Sequence, residues 1–177
     1  MKVPVNWLKE YVDIDVEIAE LVDAMTMSGT KVEGVESPGQ EISRVVAGKI
    51  LQVEKHPNAD RLLVCQVNVG DEIIQILTGA KNIEVGDLVP VALDGSTLPG
   101  GKKIKKGKMR GLESHGMMCS IDELNLSKED YPEACEDGIF ILDSNITPGT
   151  DIEDVLGLNE IIIDFEITSN RPDCLSV

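Results

Sequence analysis

The chain has 177 residues, 42% hydrophobic and 27% charged, a balance that fits one or two packed domains and excludes extensive disorder. No apolar run approaches the roughly 20 residues of a membrane-spanning helix. The opening MKVPVNWLKE also lacks the apolar stretch of about 7 to 15 residues found in a secretory signal, which points to a cytoplasmic protein without a membrane partner. The formal charge of -16 argues against uniform attraction to nucleic acid, because a phosphate backbone is held through Lys and Arg and repels an acidic surface.

The elements, taken in chain order, begin with a small α/β segment. Apolar Val16, Ile18, Ala19, Leu21, Val22 and Met25 follow the helical period, which predicts a helix over 16–27 with Asp15 as N-cap and Gly29 just beyond the end. Residues 31–36 alternate as a short strand, and Ser37-Pro38-Gly39 then interrupts the chain and predicts a domain boundary near Gly39. Four Val- and Ile-rich runs follow, at 45–53, 62–69, 73–78 and 88–93, separated by HPNADR, by Gly70-Asp71 and by the polar stretch 79–87. Gly70-Asp71 reads as a tight hairpin. Short strands with glycine-rich joints and no long helix predict a small closed barrel of five strands, the size of the oligonucleotide-binding fold. Beyond Leu124 the chain turns acidic. A strand is predicted at 139–142, a short helix at 150–156 and a longer strand at 160–167, and the last residues, NRPDCLSV, read as those of a piece of something longer.

The average charge hides its distribution. From Glu41 to Met118 there are 11 Lys and Arg against 9 Asp and Glu, whereas the flanks hold 5 against 23. Within the middle segment, KKIKKGKMR carries six positive side chains and no acid: Lys102, Lys103, Lys105, Lys106, Lys108 and Arg110. A run of one sign in an acidic chain points to phosphate binding. The aromatic residues are Trp7, Tyr11, Tyr131, Phe140 and Phe165, none of them between Glu41 and Met118, so this segment is expected to grip phosphates and shape rather than stack bases.

Other motifs carry less chemistry. In HPNADRL, Pro57 fixes one backbone angle and Asn58 and Asp60 offer side-chain caps, so a turn is expected, with His56 and Arg61 as additional candidates for phosphate or sugar contact. GLESHGMMCS holds Ser114, His115, Cys119 and Ser120, but that spacing supplies no nucleophile and base in hydrogen-bond reach. It reads as a glycine turn feeding the last barrel strand, with Met117, Met118 and Cys119 in or near the core. The four cysteines, Cys65, Cys119, Cys135 and Cys174, form no CxxC pair, and with only His56 and His115 beside them neither a disulfide framework nor a closed zinc site is expected. GxxxxGK[ST], GxGxxG and HExxH motifs are missing. No catalytic residue is assigned, and the chain alone is expected to be non-catalytic.

The ordered stretches VVAGKILQVEKHPNADRLLVCQVNVG, QILTGAKN, VPVAL, LPGGKKIKK and MRGLESHGMMCSIDEL resemble the tRNA-binding oligonucleotide-binding domain shared by several synthetase-associated proteins. The opening KVPVNWLKEYVD and the closing EITSNRPDCLSV are similar to the segments that flank this domain in the beta subunit of bacterial phenylalanyl-tRNA synthetase. The resemblance implies an α+β architecture in which the barrel, residues 39–150, is inserted into a small α/β domain formed by residues 1–38 and 151–177. It also implies a tRNA partner, an alpha subunit in an alpha2-beta2 assembly, and ATP and magnesium as cofactors of the parent ligase, with no cofactor in this portion. Lys81 stands where the family usually has Pro. Two other roles compete with an accessory tRNA-binding region: a free-standing tRNA-binding protein or chaperone, which would need a dimeric barrel, and a module for subunit assembly.

Overall fold

The computed structural model describes residues 1–135, 137–169 and 171–174. The chain divides into two compact units, one built from residues 1–40 and 158–177, the other from 41–157.

In the first unit, β1 (Lys2–Pro4), β2 (Val32–Glu36) and β11 (Ile162–Phe165) form an antiparallel sheet in the order β1-β11-β2. Val3 lies opposite Ile163, and these two with Val5 and Phe165 make the buried core. The four-residue helix α1 (Val5–Leu8) follows Pro4, and the Val5 N–H donates to the Ile161 carbonyl at 2.8 Å. Helix α2 (Ile18–Met27) lays Ile18, Leu21, Val22 and Met25 against that core, which is the i, i+3, i+4, i+7 spacing of one helix face. The stripe is narrower than the sequence suggests, because Val16 precedes the helix and Ala19 is exposed. Glu17 occupies the N-cap position instead of Asp15, and no side chain caps it.

The second unit is built on β3 (Ser43–Lys55), a 13-residue strand that pairs antiparallel with β4 (Leu63–Asn68) through one half and with β6 (Leu88–Leu98) through the other. Such length lets one strand serve both halves of a barrel, and register breaks at Ser43/Val45 and Ile50/Gln52 bend it. β5 (Ile73–Thr78) pairs with β4, and β10 (Gly116–Met118) pairs with β6, giving the path β10-β6-β3-β4-β5. Gly70, at φ 103°, makes the reversal between β4 and β5, with the Val69 N–H donating to the Glu72 carbonyl at 3.0 Å. Ile50, Cys65, Val67, Ile76, Val89 and Val91 fill the interior with no measurable exposure. Burying one such aliphatic side chain contributes about 1.5–3 kcal/mol.

The barrel is not closed by a ladder, contrary to expectation. β5 and the β9–β10 region, where β9 is Leu112–Ser114, meet through isolated bonds: His115 N–H to Gln75 O at 2.9 Å, and Leu77 N–H to the Ser114 hydroxyl at 3.1 Å. Residue 116 lies in the β6–β10 pairing beside this seam, where a Cβ would lie 2.7 Å from the Ala92 carbonyl oxygen. Residues 139–142 form no strand; a single bridge joins Leu142 to Leu88. The 150–156 prediction becomes α3 (Ile152–Leu156), capped by the Asp151 carboxylate on the Glu153 N–H at 3.0 Å. The 160–167 strand contracts to β11. The α+β class holds.

Candidate nucleic-acid interface

The lysine-rich segment is held at short intervals along its backbone. β7 (Lys102–Lys103) pairs with the end of β6, Lys103 opposite Thr97 and Lys102 opposite Leu98. Ile104 turns inward to 8% exposure, donates its N–H to Ser96 O at 3.0 Å and accepts from Gly95 N–H at 2.8 Å. The Lys106 N–H donates to Asp94 Oδ1 at 2.8 Å. β8 (Gly107–Met109) then pairs with β9 in a two-residue hairpin, Met109 opposite Leu112. At its tip Arg110 and Gly111 have φ of 50° and 100°, positive at both central positions as a type I′ turn requires. An apolar anchor and a tight hairpin thus fix the backbone and leave all six basic side chains exposed.

The six cations are not equivalent. Lys102 Nζ donates to Glu123 Oε1 at 2.9 Å. The other Glu123 oxygen accepts the Ser120 N–H at 3.2 Å, while the Glu123 N–H donates to the Ser120 hydroxyl at 3.3 Å. Lys102 is therefore already paired with an oriented carboxylate. Among the described residues, Lys103, Lys105, Lys106, Lys108 and Arg110 have no ion-pair partner. Desolvation and broken ion pairs oppose a phosphate contact least at these five positions.

The two candidates in HPNADRL separate. His56 is 4% exposed, and its Nδ1 accepts the Asn58 N–H at 3.0 Å, so the imidazole caps the turn from inside and is not on the surface to meet a phosphate. The caps expected from Asn58 and Asp60 are thereby replaced by a histidine cap. Arg61 is exposed on the same turn.

Ser114, His115 and Cys119 form no nucleophilic centre. The Ser114 hydroxyl donates to Gly116 O at 2.9 Å while accepting from Leu77 N–H, which occupies its proton. Burial pushes the Cys119 thiol up to about 12, and Glu123 adds to the shift. Among the described residues, no group of three or more His, Cys, Asp or Glu is placed to hold a metal ion. None of their helices is long and apolar enough to cross a membrane.

A groove that the sequence does not foreshadow lies beside the lysine-rich segment. It has a volume of about 190 Å³, with Arg44, Lys106 and His115 on its walls and Ile74 and Leu93 among its lining. Sharing Lys106 and His115, it is continued by a second depression that reaches Lys108 and Glu113. Arg44 sits at the Ser43/Val45 register break with φ of 57°, a conformation that costs a non-glycine residue about 1–2 kcal/mol. The only sequence signal for the His115 position is its alternation between inward Ser114 and Gly116; nothing marks Arg44.

Comparison with known proteins adds the family. Residues 45–151 match the family described as "Putative tRNA binding domain". The chain is 57% identical over 178 aligned residues to the phenylalanine–tRNA ligase beta subunit of Clostridium acetobutylicum, 55% over 178 to that of Clostridium tetani and 47% over 177 to that of Fusobacterium nucleatum. These alignments cover 100%, 100% and 99% of the chain, but only 22%, 22% and 21% of the relatives, so it spans about a fifth of their length. Among solved structures, the MetRS related protein from Pyrococcus horikoshii matches 60% of this chain and 85% of its own, with 20% identity and a TM-score of 0.43. The family match extends from Val45 in β3 to Asp151 at the α3 cap and includes the whole lysine-rich segment, and the chain belongs to the tRNA-binding domain family.

Proposed function

We propose that this chain is the accessory tRNA-binding region of a phenylalanine–tRNA ligase beta subunit, and that it contributes binding rather than chemistry to aminoacylation. The observation that carries this reading is the set of five exposed, unpaired cations on a segment anchored through Ile104 and the β8–β9 hairpin, in a chain of net charge -16. Lys103, Lys105, Lys106, Lys108 and Arg110 are the phosphate contacts. Lys102 contributes only when a phosphate displaces Glu123, and Arg61 extends the surface from the HPNADRL turn. Residues 41–157 act as the RNA-binding unit, and the terminal unit joins it to the rest of the parent subunit. The alpha subunit, the alpha2-beta2 assembly, the cytoplasmic setting and the use of ATP and magnesium belong to the parent enzyme, outside the portion this chain spans.

The test is charge reversal. Lys103→Glu/Lys105→Glu/Lys106→Glu in the full 177-residue chain is expected to weaken binding of folded tRNA at least about 100-fold, since each reversed side chain turns attraction to a phosphate into repulsion. Circular dichroism and the urea midpoint should stay as in the wild type. Unchanged affinity in the folded variant would overturn the assignment.

A further inference from the structure

We propose that the groove between Arg44, Lys106 and His115 is a subsite for one unpaired nucleotide, with the base against the His115 ring and its flanking phosphates on Arg44, Lys106 and Lys108. This goes beyond phosphate gripping and rests on the tRNA reading only for the source of the RNA.

Three observations converge on it. First, the His115 side chain lines the groove and is 35% exposed, on a backbone whose N–H is tied to Gln75 O across the seam. Histidine is among the side chains on which unpaired bases stack, and here it supplies the platform that the aromatic-free sequence between Glu41 and Met118 lacks. Second, apolar and charged groups share the lining of the groove. Ile74 and Leu93 lie among its lining, and its volume of about 190 Å³ is below the roughly 300 Å³ at which drug-sized pockets begin. That volume admits a single base, and the adjoining depression of about 320 Å³ leaves room for the flanking backbone.

Third, both signs of charge line the depressions. Arg44, Lys106 and Lys108 line the two depressions together with Glu72, Asp94 and Glu113. A site for phosphate alone would be weakened by three carboxylates, whereas a nucleotide needs both signs: cations for the backbone and acceptors for base amino groups. One Asp94 oxygen is already used by the Lys106 N–H, and Glu113 Oε2 lies 3.7 Å from His115 Nε2. The Glu72 carboxylate accepts no hydrogen bond among the described residues. It is the acceptor open to the exocyclic amino group of cytosine, adenine or guanine, and uracil has none.

The experiment titrates the full 177-residue chain with tricytidylate and triuridylate, following the His115 ring resonances by NMR. His115→Ala and His115→Phe are measured beside the wild type. Tricytidylate is expected to move the His115 ring signals and to bind at least about fivefold more tightly than triuridylate. His115→Ala should bind about tenfold more weakly, and His115→Phe should recover to within about twofold of the wild type, because stacking tolerates exchange of one flat ring for another. An unmoved ring at saturating tricytidylate overturns the subsite, as does His115→Phe binding as weakly as His115→Ala. The wild-type titration decides even if a variant does not fold. Tricytidylate binding without tRNA binding would sink the tRNA reading and leave the subsite; the reverse would sink the subsite alone.

Discussion

The salt dependence of tRNA binding follows from how many cations are uncommitted. Five of the six basic side chains in the lysine-rich segment have no ion-pair partner among the described residues, while Lys102 is held by Glu123 at 2.9 Å. If all five meet phosphates of a duplex arm, the logarithm of the association constant falls against the logarithm of salt with a slope of about -4.5, at about 0.9 per phosphate. Between 50 and 200 mM salt that amounts to a weakening of about 500-fold. Lys105→Gln/Lys106→Gln should flatten the slope by about 1.8, whereas Lys102→Gln should barely change it, since its charge is already neutralised within the protein. Fluorescence anisotropy with labelled tRNA over a salt series measures all three. A slope unchanged in the double variant, or flattened as much by Lys102→Gln as by Lys103→Gln, would refute the division of the segment into paired and free cations.

Two further outcomes concern stability. Gly116→Ala places a methyl 2.7 Å from the Ala92 carbonyl oxygen and should cost about 1–3 kcal/mol in urea unfolding; an unchanged midpoint would show that the β6–β10 pairing gives way easily. Burial pushes the Cys65 thiol up to about 11 and Cys119 to about 12, so iodoacetamide at pH 8 should modify exposed Cys135 long before either. Above pH 9 the unfolded chain releases these protons and the folded chain keeps them, so stability should fall as pH rises from about 9 to 12. Equal modification rates in the native protein, or stability rising across that window, would contradict the packing of the two thiols.

Strands with continuous apolar runs are legible in the sequence because their residues are buried by the fold they build: Ile73–Thr78 is found where its apolar pattern places it. The strand expected at 139–142 does not form because apolar character marks burial and not pairing. Ile139, Phe140 and Leu142 are buried, yet only Leu142 bridges a strand. The helix expected at 16–27 starts later than its pattern, since periodicity continues through Val16 while the backbone at Glu17 is still extended. The lysine-rich segment is visible by charge, but its division is not. Pairing of Lys102 with Glu123 joins residues 21 positions apart, and no local pattern encodes it. Arg44 and His115 are invisible as a pair for the same reason, as a register break and an unladdered seam bring them to one groove. His56 departs from its expected role because a histidine beside Pro, Asn and Asp looks like part of an exposed turn, when the ring is the turn's interior cap.

Whether RNA docks on the lysine-rich segment can be decided by lysine acetylation with and without folded tRNA, read residue by residue by mass spectrometry. Lys103, Lys105, Lys106 and Lys108 are predicted to be protected several-fold by tRNA, with Lys102 protected less and Lys2, Lys9 and Lys31 in the terminal unit modified at the same rate in both states. Equal modification of the lysine-rich segment with and without tRNA, under conditions where tRNA is bound, would contradict docking there.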